Sequence, residues 1–307
     1  MDLKNKRLLI TGANGFIGKR LVNYLQKKGA KVYLFSRLSL PMIEGNLVSL
    51  DRIAELEIDV VIHLAGRAHI GEESDLEAEH QFYSSNVELS VNIANESAKA
   101  GAKRFIFISS IGVLGISSLE PFVSSSAAAP SDLYSISKLK AEIKLQNWSS
   151  CSRRELVIIR PPLVYGPDAP GNFGKLTKLL KKNLPLPLGA INNKRSLVSL
   201  DNLVDLIVTC IDHPSAANQT FLVSDDHDVS TTELLKLMSR ASGKTPRLLP
   251  VPVSWLKFAA KLTGKQAVIE RLCGNLQVDI QHTKDTLGWT PPISVEEGIA
   301  RCFDAKK

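Results

Sequence analysis

The sequence predicts an α/β protein, a doubly wound parallel sheet followed by a smaller C-terminal α/β substrate lobe. Three observations carry that prediction. Short β-branched runs alternate with helical patterns through the first half of the chain. A Gly12-x-x-Gly15-x-x-Gly18 series stands between the apolar run Leu8-Leu9-Ile10 and an amphipathic segment. After Arg160-Pro161-Pro162, prolines cluster at 161, 162, 167, 170, 185 and 187 and the helical patterns become interrupted.

Each element has a local reason. Residues 7–11 read as the first strand because Leu8-Leu9-Ile10 is apolar without interruption, as in strands buried on both faces. The helix over 15–28 is amphipathic and ends in Lys27-Lys28-Gly29, basic residues before a glycine. Strands follow at 31–36, in short form at 46–50, and at 59–64, where Asp59-Val60-Val61-Ile62 runs into His63-Leu64-Ala65-Gly66. The interval 37–58 is short for a full helical crossover, so this edge of the sheet is expected to be abbreviated. A helical pattern over 76–100 leads to a strand at 104–109, Phe105-Ile106-Phe107-Ile108 ending in Ser109-Ser110. A helix over 132–149 leads to a strand at 155–160. Beyond it, helices are expected at 200–213, 230–242 and 252–274, with strands near 196–199 and 219–223. The chain accordingly divides into 1–166 and 167–307. The second part lies mainly over the carboxyl ends of the sheet, with some of its strands free to return to it.

At 307 residues, 44% hydrophobic and 22% charged, the composition is that of a globular protein with one large core, or a core plus a smaller lobe. No apolar run approaches the ~20 residues of a membrane span. The first residues, MDLKNKRLLITG, lead straight into the glycine loop as a strand does, not as a secretory leader does. Cys151, Cys210, Cys273 and Cys302 are scattered, without Cys-x-x-Cys or a histidine at ligand spacing. They read as reduced thiols of a cytoplasmic protein, with no metal site. A net charge of +7 suits anionic small ligands and equally a solvated surface, and no basic run with interleaved aromatics points to nucleic acid. The expected partner is a small molecule, with neither nucleic acid nor membrane.

The glycines supply a tight turn, a close backbone approach to a pyrophosphate and a helix N-terminus aimed at its charge. A βα turn without a ligand uses the same residues, and Thr11 and Asn14 cap the helix or fix the turn in either case. Downstream, Tyr134-x-x-x-Lys138 puts a phenol and an ammonium one helical turn apart on one face. A tyrosine, with an ordinary pKa of about 10, exchanges protons near neutrality only beside positive charge, which Lys138 and a nicotinamide cofactor would supply. Ser110 adds a donor for a carbonyl oxygen on which charge develops. The same spacing at Tyr24-x-x-x-Lys28, within the helix after the glycine loop, reads as an ordinary helix end. His63 continues a buried strand and reads as a core residue rather than a base, whereas His69 is a substrate-side candidate. The second strand ends Tyr33-Leu34-Phe35-Ser36-Arg37, without the carboxylate that would hold the ribose 2′-hydroxyl of NAD. Arg37 suits a 2′-phosphate and Ser36 adds a hydrogen bond, which favours NADP(H) over NAD(H), although an arginine at a strand end is also a common surface residue.

Taken together, several segments resemble the extended branch of the short-chain dehydrogenase/reductase family, over almost the whole chain. They are Thr11-Gly12-x-x-Gly15-x-x-Gly18, His63-Leu64-Ala65, Ser109-Ser110 ahead of Gly115, Tyr134-x-x-x-Lys138, and Arg160-Pro161-x-x-Val164-Tyr165-Gly166-Pro167. The resemblance implies a Rossmann-like fold with Ser110, Tyr134 and Lys138 as the proton-transfer set. It implies a cofactor site made by Gly12, Asn14, Gly15, Phe16, Ile17 and Gly18, by Ser36 and Arg37, and by Leu64, Ala65, Gly66 and Asn86. Ser109, Tyr134, Lys138, Pro161 and Val164 complete that site. It implies a sugar-nucleotide site at Ser110, Ile111, Asn172, Phe173, Leu186 and Pro187, with Arg195 and Arg271 on the diphosphate. On their own, two such arginines are equally surface salt-bridge partners. Asp201-Asn202-Leu203-Val204-Asp205 and Leu287-Gly288-Trp289-Thr290-Pro291 are similar to family segments with a structural part.

The whole pattern, notably the stretch from Lys194 to Leu203, looks most like bacterial reductases of UDP-linked 4-keto-6-deoxy-N-acetylhexosamines, which serve O-antigen and capsule synthesis. The implied activity is NADPH-dependent reduction of the C4 keto group of a UDP-linked deoxyaminosugar by a cytoplasmic enzyme. Relatives often form homodimers through the helices at 76–100 and 132–149. Two alternatives stay open: a 4-epimerase of UDP-N-acetylglucosamine or UDP-glucose on the same site, and a non-catalytic NADP-binding scaffold. A dehydratase is disfavoured, since Ile111-Gly112 follow Ser110 where those relatives place Asp-Glu. Leu114, where many relatives have tyrosine, and Gly112, in place of a larger residue, leave the reacting face of C4 open.

Overall fold

Seven parallel strands form the main sheet of the computed structural model, which describes residues 3–35, 46–68, 74–182 and 184–304. They are β1 (Arg7–Thr11), β2 (Lys31–Phe35), β3 (Asn46–Val48), β4 (Val60–His63), β5 (Arg104–Ile108), β6 (Glu155–Arg160) and, last along the chain, β9 (Gln219–Leu222). Between β6 and β9, β7 (Leu163–Tyr165) and β8 (Leu197–Ser199) pair with each other in a separate two-stranded parallel sheet. The main sheet runs in the spatial order β3-β2-β1-β4-β5-β6-β9. The winding direction therefore reverses between β1 and β4, and the crevice at their carboxyl ends is where such sheets bind ligands. Thr11 and His63 stand side by side in register there.

The main sheet is covered on both faces, which is why its strands are apolar in succession rather than in alternation. Leu8, Ile10, Val60, Ile62, Ile106, Ile108, Val157 and Ile159 pack on one face with α1 (Phe16–Lys27) and α6 (Leu200–Asp212). Leu9, Val61, Phe105, Phe107, Leu156 and Ile158 pack on the other with α3 (Leu89–Lys99) and α4 (Leu133–Ser152). A third core around Tyr165, Phe173, Leu235 and Met238 belongs to the second lobe. It joins α5 (Gly171–Lys181), α7 (Thr231–Ala241), α8 (Val253–Leu262), α9 (Gln266–Cys273) and α11 (Val295–Asp304). Residues beyond 167 thus build the lobe and also contribute α6 and β9 to the main sheet.

Several elements depart from the sequence reading, for physical reasons. The helix expected over 76–100 is α2 (Asp75–Phe82) and α3 joined by a π-helical stretch, Tyr83–Glu88, that buries Ser85, Asn86 and Val87. The helix expected over 252–274 is parted into α8 and α9 near Gly264, whose φ of +66° lies outside helical space. Three helices were not anticipated: α5, α10 (Gln281–Leu287) and α11. Pro170 is the N-cap of α5, and Pro291 and Pro292 precede α11. Prolines that open a helix are easily read as breaking one. The described part of the 37–58 interval holds β3 and a 3₁₀ turn at Leu50–Glu55, with no long helix.

Candidate active site

At the carboxyl end of β1 the chain turns at Gly12, where φ is +70° and a side chain would strike the backbone of Leu64 and Ala65. The Gly15 N–H donates to the Gly12 carbonyl at 2.9 Å and closes the turn. Gly18 has no room for a Cβ, which would fall on that same carbonyl and lie 2.7 Å from Ala13 Cα, so α1 rests directly on the loop. No side chain caps α1, which leaves its first-turn N–H groups facing outward toward any anion. Asn14 is exposed, and Thr11 is engaged elsewhere.

Thr11 Oγ1 accepts from the Ala65 N–H at 3.1 Å and lies 2.8 Å from His63 Nδ1. On the far side of the ring, His63 Nε2 lies 2.9 Å from Ser90 Oγ, while Ser90 donates to the Asn86 carbonyl at 2.7 Å. With the single Ser90 proton committed, Nε2 must donate to Ser90 and Nδ1 must accept from Thr11, which fixes a neutral imidazole. Burial, with the Lys138 charge nearby, pushes the His63 pKa down to about 3. His63 is a structural group, as its place on a buried strand suggested. The π-helical stretch aims Asn86 at the loop after β4. Its Oδ1 accepts from the Arg67 N–H at 2.7 Å, and its Nδ2 donates to the Arg67 carbonyl at 3.0 Å and to Ser137 Oγ at 2.9 Å. Both amide protons are taken, so Asn86 shapes the Leu64-Ala65-Gly66 floor. A Cβ on Gly66 would come within 3.2 Å of both Asn86 Oδ1 and Lys138 Nζ.

Tyr134 and Lys138 occupy successive turns of α4, whose N-cap Asp132 accepts from the Ser135 N–H at 2.8 Å. The buried Lys138 donates from Nζ to the Ile108 carbonyl at 2.9 Å and sits 4.6 Å from the Phe107 ring centroid. Burial pulls its pKa down to about 8, opposed by Glu142. Glu142, one turn further, is buried and takes the Arg160 guanidinium with two bonds, Nε to Oε1 at 3.0 Å and Nη2 to Oε2 at 2.6 Å. That pair clamps α4 to the end of β6. The sequence reading missed Glu142, although a carboxylate four residues beyond Lys138 shares its helix face and was a usable signal. Burial, and then Asp132, push the Tyr134 pKa up to about 12. Its ring lies 6.2 Å from that of Phe82. Ser110 Oγ accepts from the Gly112 N–H at 3.1 Å, which leaves its own proton for an oxygen in front of it.

Two donors at this edge have protons to spare. Ser109 Oγ is buried with no partner, and Lys138 Nζ has one hydrogen-bond acceptor for three protons, both counted among the described residues. Together with the uncapped α1, these groups fit the hydroxyls, amide and pyrophosphate of a nicotinamide dinucleotide.

In front of Ser110 and Tyr134 opens a cleft of about 650 Å³, also lined by Ile111, Gly112, Asp132, Leu163, Arg195 and Arg271. Gly112 has a steric reason to be small, since a Cβ there would collide with Ser135 Oγ. Leu114 is buried in the main core and does not face the cleft. Arg195 Nη1 donates to the Arg271 and Gly274 carbonyls at 2.8 and 3.1 Å. Burial and the adjacent Arg271 charge pull its pKa below the ordinary arginine value. Among the described residues, Arg271 has one loose ion-pair partner, Asp132 at 4.0 Å, so two guanidinia share a site with little counter-charge. Such a pair attracts a dianion.

Asn172, Phe173, Leu186 and Pro187 are not among the cleft-lining residues. Phe173 packs on Tyr165 with centroids 5.4 Å apart, and Leu186 bridges to Leu248 in the lobe core. Asn172 and Pro187 are exposed. Pro161 is buried, its carbonyl accepting from the Ile111 N–H at 2.9 Å, and Val164 packs on the main core. The similar segments further on are structural. Asn202 bridges Asp225 and the Ile293 carbonyl at 2.7 and 2.9 Å, and the Trp289 indole donates to Asp205 at 2.8 Å. Ser36, Arg37 and His69 lie outside the described residues.

Residues 8–224 match the model of the NAD dependent epimerase/dehydratase family. A Vibrio cholerae protein named UDP-glucose 4-epimerase is 45% identical over 312 residues, spanning 98% of this chain and 95% of its own. Among solved structures, a UDP-glucuronic acid 4-epimerase from Bacillus cereus in complex with NAD superposes with a TM-score of 0.77 at 19% identity, covering 97% of each chain. RMD from Pseudomonas aeruginosa, complexed with NADPH, superposes with a TM-score of 0.75 at 20% identity, covering 97% of this chain and 99% of its own.

Proposed function

Because the chain belongs to the NAD dependent epimerase/dehydratase family, as an enzyme of that family, we propose that it interconverts the C4 epimers of a UDP-linked sugar. The observation that carries this reading is the 45% identity, across 98% of the chain, to a relative named UDP-glucose 4-epimerase. The sequence reading put the 4-ketoreductase first, and this similarity moves the epimerase ahead of it.

A dinucleotide held by the Gly12–Gly18 turn and the uncapped start of α1 would supply the hydride acceptor and donor for C4. The chain's own residues manage the proton and the geometry. Tyr134 Oη takes the proton of the C4 hydroxyl and gives it back to the C4 oxygen after the sugar has presented its other face, so no net oxidation occurs. With its pKa pushed up to about 12, Tyr134 rests as the neutral acid. It first gives its own proton to solvent, a loss that Lys138 and the positive charge of an oxidised nicotinamide would favour, and the phenolate then takes the proton of the C4 hydroxyl. Lys138, with its pKa at about 8, keeps its proton at neutrality and stabilises the phenolate when it forms. Ser110 donates to the C4 oxygen as charge develops on it. Arg195 and Arg271 hold the diphosphate, remote from the reacting carbon, so the sugar turns while its nucleotide stays anchored. Gly112, Gly115, Ala68 and Ala78 along the cleft leave width for that turn.

The reductase reading keeps one observation in its favour, the absence of a carboxylate in Tyr33–Arg37. The test is to incubate the enzyme with UDP-N-acetylglucosamine and with UDP-glucose, without added cofactor, and separate the nucleotide sugars. Appearance of either C4 epimer supports the proposal. Absence of both, with NADPH consumed on a UDP-4-keto-6-deoxy-N-acetylhexosamine, replaces it with the reductase.

A further inference from the structure

Among the described residues, the outward face of α8 has no partner. Leu256 and Ala260 are buried in the second lobe, whereas Trp255, Phe258 and Leu262 are 72%, 66% and 73% exposed. Their spacing of three and four residues makes one continuous apolar strip. Lys257, Lys261 and Lys265 are exposed beside it. The surrounding charge is mostly basic, with Glu270 bordering the strip beside Lys257, Phe258 and Lys261. Residues 169–200 and 234–269 carry thirteen Lys and Arg and no Asp or Glu, so in a chain of net charge +7 the remainder is net −6. No described helix is long and apolar enough to cross a membrane. An aromatic and aliphatic strip rimmed by lysines is instead the pattern of a helix lying in a membrane interface.

We propose that the second lobe docks on an anionic phospholipid surface through α8, independently of which C4 reaction the cleft performs. Trp255, Phe258 and Leu262 enter at headgroup level, and Lys257, Lys261 and Lys265 pair with lipid phosphates. Charge selects this occupant over a second copy of the chain. Two-fold pairing through the strip would set one predominantly basic surface against another. The docking helix also packs on α9, which carries Arg271 into the cleft, so the sugar-nucleotide site and the membrane-facing surface share a neighbour. The proposal departs from the sequence expectation of no membrane partner.

The test uses the full chain and vesicles of equal parts phosphatidylglycerol and phosphatidylcholine. Co-sedimentation is measured, and the fluorescence of Trp255, the most exposed indole among the described residues, is followed. The proposal expects binding to these vesicles and little to pure phosphatidylcholine, with a blue shift on binding. Each lysine near such a surface strengthens binding about fivefold, so Lys257→Glu with Lys261→Glu weakens it at least ~25-fold. Trp255→Ser with Phe258→Ser weakens it at least ~10-fold. Both pairs are exposed, and C4 chemistry on a soluble sugar nucleotide is expected to be unchanged in them. Absent binding, equal binding to neutral vesicles, or wild-type binding by the variants overturns the proposal. So does a concentration-dependent dimer that the Trp255→Ser, Phe258→Ser pair dissolves, which would make the strip a self-interface.

Discussion

Replacing Glu142 by glutamine leaves Arg160 charged and without its counter-ion in a dry contact. The two side chains are 2% and 10% exposed and share two hydrogen bonds, at 3.0 and 2.6 Å. Breaking a buried pair of this kind from one side costs about 3–5 kcal/mol. At about 2 °C per kcal/mol for a chain of this length, Tm falls by about 6–10 °C. Removing both charges together, with Glu142→Leu and Arg160→Met, is expected to restore Tm to within about 2 °C of wild type, because the desolvation penalty leaves with the pair. The single variant has a second readout. Glu142 holds the Lys138 pKa up against burial, so without it Lys138 loses its proton below pH of about 8. Activity that needs the ammonium is present below that pKa and lost as pH rises through it, so the alkaline limb of the pH–rate profile moves to lower pH. Calorimetry and a pH–rate profile read the two effects separately. A Glu142→Gln protein that melts within about 2 °C of wild type, or a double variant that melts as low as the single, refutes the clamp.

Four further outcomes follow from the site. Tyr134→Phe lowers kcat by about 10²–10⁴-fold with dinucleotide affinity unchanged, and Ser110→Ala lowers it by about 10²–10³-fold, both read by steady-state kinetics and cofactor titration. Arg271→Ala raises KM about 10- to 100-fold while kcat changes little, because a diphosphate anchor binds ground and transition states alike. For His63, the folded pKa of about 3 lies below the unfolded value, so the unfolded state takes up the proton first. Stability therefore falls as pH drops from about 6.5 toward 3, by at most about 5 kcal/mol, and urea titrations of His63→Gln across that range lose this component.

What was legible in the sequence is what short stretches determine. A strand buried on both faces must be apolar along its length, so the residues of β1, β4, β5 and β6 announced themselves. The Gly12–Gly18 turn and the Tyr134–Lys138 pair each depend on spacing within one loop or one helix. The rest depends on partners far apart in the chain. The π-helical stretch is held by Asn86 bonding Arg67 and Ser137, and the buried Lys138 by the Ile108 carbonyl thirty residues away. Gly112 looked like a site variation, yet its size is set by Ser135, on a different element. Phe173 and Leu186 were read as sugar contacts because of their motif context, and they pack inside the lobe. The choice between epimerase and reductase was hardest to read for another reason. Both chemistries use the same serine, tyrosine and lysine, and differ in whether the dinucleotide stays bound between two hydride transfers.

That difference can be observed on the substrate itself. The enzyme is given UDP-N-acetylglucosamine or UDP-glucose labelled with deuterium at C4, and the nucleotide sugars are then examined by NMR and mass spectrometry. The account predicts that the C4 epimer appears with its deuterium retained, because the hydride that leaves C4 returns to the opposite face within one cleft. An epimer that has lost the label, or the absence of any epimer from either sugar, contradicts it.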